Sequence, residues 1–241
     1  MKKILLKIGL LIVFIVTTLN FVIVPCKKTT NSEVSVINAY KYINRVCEIG
    51  VIKINKNKMN YSVKNQNHKN FNFYVNANYF GKTPIGEVKI DNKVVNKKNK
   101  NGGFFTTDGK TPKFYFNSRP NNVKFSSQTH TVGIINGNVN NRILNQGWAK
   151  VKVHRLMIGE DINGNIIVIH SRNLGFLTVS EICEIGKKLG VYNGLIFDGG
   201  TSVEIGLKDG DINYSYQSIG DLTRKLFNVP TPSVFIVGNF K

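Results

Sequence analysis

The chain has 241 residues, 41% of them hydrophobic and 10% aromatic, with 22 glycines and six prolines; this is enough to bury one core of ordinary size, and it excludes a disordered, collagen-like or low-complexity chain. The formal net charge of +19 raises the question of nucleic acid, but the lysines sit in Lys/Asn-rich loops such as 55–69 and 91–101. Those loops lack the interleaved aromatics of single-strand binders, and no basic recognition helix is present. They read as solvated, with steering of an anionic substrate as the alternative, and no nucleic-acid partner is expected.

Lys2, Lys3 and Lys7 precede an apolar run from Ile8 to Val24. Residues 1–25 therefore read as a signal peptide or an N-terminal membrane anchor, of a length between a signal's apolar region and a full span. No small-x-small site precedes Pro25, and Cys26 leaves lipidation open. Either way the body is expected to be exported, in the cell envelope or outside the cell. Residues 26–35 read as a linker. Residues 36–241 read as a single domain of mixed α/β (α+β) class, a strand-rich sheet with few helices.

Glu33 to Val46 suggests a short helix leading into that domain. Ile49–Ile54, Tyr61–Val63 and Phe71–Val75 alternate or run apolar between turn residues and read as strands. Asp91-Asn92 turns a hairpin between Ile85–Ile90 and Lys93–Val95, and 102–109 with 114–116 forms another. Val132–Ile135 continues the pattern. Further on, Val151–Gly159 reads as a strand that Asn163-Gly164 turns into Ile166–Ile169. Thr178 and Glu181 have capping-box spacing before a helix whose face is Ile182, Ile185 and Leu189, ending at Gly190. Later strands are Val203–Leu207 and Ser233–Val237. Cys47 and Cys183 are either separate buried residues or a disulfide. No Cys-x-x-Cys or His-x-x-x-His occurs, so a structural zinc site is not expected.

The chemistry concentrates at Leu195-Ile196-Phe197-Asp198-Gly199-Gly200-Thr201-Ser202, a buried strand ending in a carboxylate, two glycines and two hydroxyls. Two glycines let backbone N–H groups approach an anionic oxygen; an Asp-Gly-Gly turn between strands is the plainer alternative. With Asn76-Ala77-Asn78-Tyr79-Phe80, Arg155-Leu156-Met157-Ile158-Gly159 and Gly175 through Glu181, this run resembles the phosphodiester glycosidase family over about Phe71 to Val237. Asn78 and Thr201 stand where the family pattern has glycines, and Val203 where a second serine often occurs. Bulk at Asn78 and Thr201 is expected to narrow the pocket.

The resemblance implies cleavage of the sugar–phosphate bond of a sugar 1-phosphodiester or an envelope glycan. Cleaving C1–O builds positive charge on the ring and releases a phosphate, already a good leaving group. Asp198 is the expected nucleophile, base or cation stabiliser. Arg155 is the expected phosphate fork, and Glu181 a second acid/base or only a cap. Gly199, Gly200, Thr201 and Ser202 are expected to donate to the phosphate. Asn76 and Asn78 are the expected sugar contacts, and Thr178 a further substrate contact. His154 is expected to pack, and His170 and Arg172 to line the rim. No cofactor is expected. Asp198, Glu204, Asp161 and Asp209 offer oxygens to calcium or magnesium, but their spacing fits no known loop, so no metal is assigned. A phosphodiesterase breaking P–O and a non-catalytic glycan-binding surface protein are the other readings.

Overall fold

In the central strands successive side chains go to opposite faces, and both faces are buried. Leu156, Ile158, Val168, Leu195 and Phe197 join one apolar cluster, while Met157, Ile167, Ile169 and Ile196 join another. A computed structural model describes residues 28–30, 33–37, 40–42, 45–65, 67–80 and 83–241. These strands belong to an eight-stranded sheet in the order Lys28–Thr30, Val34–Ile37, Ile49–Ile54, Ile166–Ser171, Leu156–Glu160, Asn193–Phe197, Thr131–Ile135 and Asn138–Val139.

Two five-stranded sheets contribute to the first cluster. One runs Lys93–Asn96, Val88–Ile90, Phe125–Thr129, Gly103–Thr107, Pro112–Phe116; the other runs Ile212–Gln217, Glu204–Asp209, Phe73–Asn76, Phe235–Phe240, Met59–Lys64. Tyr61, Phe73 and Phe105 meet there edge to face with the eight-stranded sheet's Leu195 and Phe197 in the same cluster. The opposite face of the large sheet is covered by the helix Val179–Lys188, through Val179, Ile182, Cys183 and Ile185.

Among the described residues every strand pairing is antiparallel and only four short α-helices occur. The protein is strand-rich and mostly β, so the α/β part of the expectation is corrected. The one helix-then-strand unit, Val179–Lys188 followed by Asn193–Phe197, places its strand antiparallel to both neighbours. Val34–Ile37, Tyr40–Tyr42 and Arg45–Cys47 are strands rather than a helix. Val34 and Val36 are buried with Ser35 and Ile37 less so, which is a period of two. Among the described residues, Lys28–Thr30 pairs with Val34–Ile37, inside and beside the stretch expected to be a linker. The segment expected to be a signal or anchor lies outside the described residues; within them, no helix is long and apolar enough to cross a membrane.

Local turn chemistry is as read. Asp91 and Asn92 take φ of 47° and 67° in a two-residue hairpin, and Gly164 takes 81°. The Thr178–Glu181 capping box is complete, with Glu181 N–H donating to Thr178 Oγ1 at 3.1 Å and Thr178 N–H to Glu181 Oε2 at 2.8 Å. Cys183 is a free, buried thiol, and the side chain of Cys47 lies outside the described residues.

Candidate functional site

Register brings Arg155 and Asp198 together. Leu156 pairs with Phe197 in adjacent antiparallel strands, so the residue before one and the residue after the other leave the sheet at the same end. Both line one cleft of about 620 Å³, with Tyr79, His130, Trp148, Val151, Val153, Gly199, Gly200, Thr201, Ser202 and Pro230.

Burial raises the Asp198 pKa to about 6, against the Ser202 hydroxyl, the Gly199 N–H and the charge of Arg224, which all favour the carboxylate. Its backbone is pinned from behind: Asn76 Nδ2 donates to the Asp198 carbonyl at 2.9 Å, and Asn76 Oδ1 accepts from Glu204 N–H at 2.9 Å.

Arg155 is 6% exposed. Its Nε donates to Leu177 O at 3.1 Å, and its Nη2 to Trp148 O at 3.0 Å and Val151 O at 2.7 Å. The Trp148 ring lies 6.0 Å from the guanidinium. Burial lowers its pKa, and among the described residues no carboxylate forms an ion pair with it. A guanidinium has five N–H donors; here Nη1 is the nitrogen left for a ligand.

The glycine pair is used differently from the expectation. Gly200 N–H donates to His154 O at 2.8 Å, Ser202 N–H to Gly199 O at 2.9 Å, and the Gly199 N–H and Ser202 hydroxyl serve Asp198. The run therefore orients the carboxylate, and of its expected anion donors only the Thr201 N–H remains. A Cβ on Gly199 would overlap the His154 carbonyl, whereas Gly200 has open space but a φ of 57°. These are two different demands for glycine.

Asn76 and Asn78 are fully buried and do not line the cleft. Asn78 sits at φ 49°, with Nδ2 donating to Ile85 O, Glu87 O and Gln128 O and Oδ1 accepting from Ser127 Oγ. It occupies a left-handed position that asparagine tolerates better than other side chains. It does not line the cleft, whereas Thr201 does.

Glu181 and Thr178 close the capping box away from the cleft, and Lys152 Nζ reaches Glu181 Oε1 at 3.7 Å. His154 packs as expected, its ring stacked on Phe176 at 4.7 Å. His170 is buried against the Tyr214 hydroxyl at 2.7 Å, and burial lowers its pKa to about 3. Arg172 lies between the Tyr214 and Tyr216 rings, 5.8 Å from each. Neither reaches the cleft. Among the described residues no group of three or more His, Cys, Asp or Glu side chains could hold a metal, so Asp198, Glu204, Asp161 and Asp209 are not gathered into one.

Sequence reasoning missed Tyr79, His130 and Trp148. The Tyr79 hydroxyl is buried near the Thr131 hydroxyl without forming a hydrogen bond to it, and burial raises its pKa to about 12. Its ring packs at 4.4 Å on His130, which packs at 5.6 Å on Trp148. Burial lowers the His130 pKa. Tyr79 stood within the quoted motif around Asn76, which was the available signal. His130 and Trp148 carried none.

An acid, a guanidinium without an acidic partner among the described residues and a buried phenol surround one cleft of a strand-rich body. The chain belongs to the phosphodiester glycosidase family, whose model matches residues 51–231. Its fold is similar to the zebrafish N-acetylglucosamine-1-phosphodiester alpha-N-acetylglucosaminidase catalytic domain auto-inhibited by pro-peptide. That likeness has 13% identity and a TM-score of 0.64, over 90% of this chain and 87% of that one. A hypothetical protein from Synechocystis is similar at 13% identity and a TM-score of 0.69, over 90% of this chain and 64% of that one. A putative exported protein from Burkholderia pseudomallei is similar at 8% identity and a TM-score of 0.51, over 80% and 74%. No match was found among curated proteins.

Proposed function

We propose that the protein hydrolyses the sugar–phosphate bond of a sugar 1-phosphodiester, acting as an exported or membrane-anchored enzyme. The carrying observation is that Arg155, buried and without an acidic partner among the described residues, lines the same cleft as Asp198. A buried unpaired cation is costly unless an anion joins it. A phosphodiester is such an anion, and the family membership supports that choice.

In this reading Arg155 Nη1 and the Thr201 N–H hold the phosphate, and Tyr79 forms part of the cleft wall beside them. Asp198, ionised above about pH 6, faces the anomeric carbon as nucleophile, base or stabiliser of the ring cation. Gly199 and Ser202 orient it. Asn76 acts behind it as a positioning residue, and Glu181 and Thr178 act as a cap. Trp148, Val151, Val153 and Pro230 give the cleft an apolar wall for a sugar ring or aglycone. Placement outside the cytoplasm is supported by the apolar run from Ile8 to Val24.

The test is turnover of UDP-sugars and sugar 1-phosphodiesters in oxygen-18 water. Label in the sugar is expected, with Asp198→Asn and Arg155→Ala each losing on the order of 100-fold or more. Label in the phosphate would replace the glycosidase with a phosphodiesterase. Glycan binding without turnover would leave a binding protein.

A further inference from the structure

Two segments, one lining the cleft and one hydrogen-bonded to its rim, leave large apolar side chains in water. Leu222, Leu226 and Phe227, on and just after the helix Asp221–Leu226, are 71%, 71% and 74% exposed. Trp148 and Val151, which line the cleft, are 38% and 54% exposed. The helix is fastened to the cleft by Arg224, which donates from Nη1 to Pro230 O at 2.8 Å and from Nη2 to Thr201 O. Both acceptors belong to cleft-lining residues. Grouped exposed apolar side chains of this size mark an interaction surface.

Cations are interleaved with them. Lys150, Lys152 and Lys225 are exposed on the same two segments, Lys152 also reaching Glu181. Residues 147–152 contain no acidic residue, and 221–230 contain only Asp221, at the start of the helix. Apolar side chains set among lysines complement an anionic bilayer: rings and aliphatic groups enter the headgroup boundary while the ammonium groups meet lipid phosphates.

We propose that this face docks on an anionic lipid bilayer, with the cleft mouth toward the headgroups, and that the substrate is a sugar carried on a lipid phosphate in that bilayer. The substrate class rests on the glycosidase reading above; the docking does not. In the reaction the sugar C1–O bond breaks, water gives its hydroxyl to C1, and the remaining proton goes to the lipid phosphate that leaves.

Trp148 is the chain's single tryptophan, so its fluorescence reports on the face directly. The full chain is placed in vesicles of phosphatidylcholine and phosphatidylglycerol, with or without bromine on the acyl chains. Brominated lipid is expected to quench Trp148. The quenching is lost in the triple variant Leu222→Ser, Leu226→Ser, Phe227→Ser and weakened in Lys225→Glu. The triple variant is expected to keep wild-type turnover of a water-soluble sugar 1-phosphodiester but to lose about tenfold or more on a sugar linked through phosphate to a long-chain alcohol in the vesicles. No quenching in the wild type overturns the docking, as does quenching unchanged in the triple variant. A dimer that the triple variant dissolves, without quenching, assigns the face to a second copy and also overturns it. Quenching without turnover of either substrate leaves the docking standing and removes the glycosidase reading. Equal turnover loss on both substrates overturns the lipid-linked substrate.

Discussion

Asp198 pays for its position in the cleft with stability, and that cost depends on pH. Its folded pKa of about 6 lies above the ordinary carboxylate value of 3.8, so the folded state holds the proton more tightly than the unfolded state. Stability is therefore lost as pH rises from about 4 to about 6, and the cost is full above that. One pKa unit corresponds to about 1.4 kcal/mol. Asp198→Asn is expected to stabilise the protein by about 1 to 3 kcal/mol at pH 8 and by little at pH 4, read as chemical denaturation midpoints at the two values. The same ionisation is expected in activity, with kcat/KM rising about tenfold per unit up to about pH 6 and then levelling. A profile that falls through pH 6 would make the protonated acid the active form. The two glycines separate just as cleanly. Gly199→Ala meets the His154 carbonyl and is expected to abolish turnover, whereas Gly200→Ala incurs only backbone strain of about 1 kcal/mol and is expected to retain most of it. Asp198 and the need for glycines beside it were legible in the sequence. Their use of N–H groups on Asp198 and His154, instead of on a ligand, depends on which loop lies opposite.

At the scale of elements, short-range signals read true and long-range ones did not. The Thr178–Glu181 cap, the apolar face of Ile182 and Ile185, and the Asp91-Asn92 turn are set by neighbours a few residues away. Phe125–Thr129 gave no sign of being a strand, because Ser126, Ser127, Gln128 and Thr129 are all buried, and their burial is made possible by distant partners such as Asn78 and the Ile196 carbonyl. Asn76 and Asn78 were misread for the same reason: a buried amide looks like a ligand contact until its backbone partners are known. The cap gives a direct separation of roles. Thr178→Ala is expected to lower stability by about 1 kcal/mol, and Glu181→Gln to leave kcat within about twofold of wild type, whereas a catalytic acid would lose on the order of 100-fold. Thermal melts and steady-state rates on both variants decide it.

At the scale of the molecule, the antiparallel order could not be read from strands alone. A strand buried on both faces looks apolar throughout whether its neighbours are parallel or antiparallel, and Leu195–Phe197 is of that kind. What was legible was the surplus of positive charge. With a net +19, association with an anionic substrate is expected to be steered. The value of kcat/KM should fall severalfold between 50 and 500 mM salt while kcat stays flat, because screening acts on encounter and not on the assembled cleft. Steady-state kinetics across a salt series measures it.

The grip of three peptide oxygens on Arg155 has a consequence for the end of a catalytic cycle. Carbonyl groups carry no net charge and do not titrate, so they leave the cation's attraction undiminished for whatever anion arrives. A released phosphate monoester bears more negative charge than the diester from which it came. The first product to compete with fresh substrate should therefore be the phosphorylated leaving group, and inorganic phosphate in an assay buffer should act as an inhibitor of the same kind.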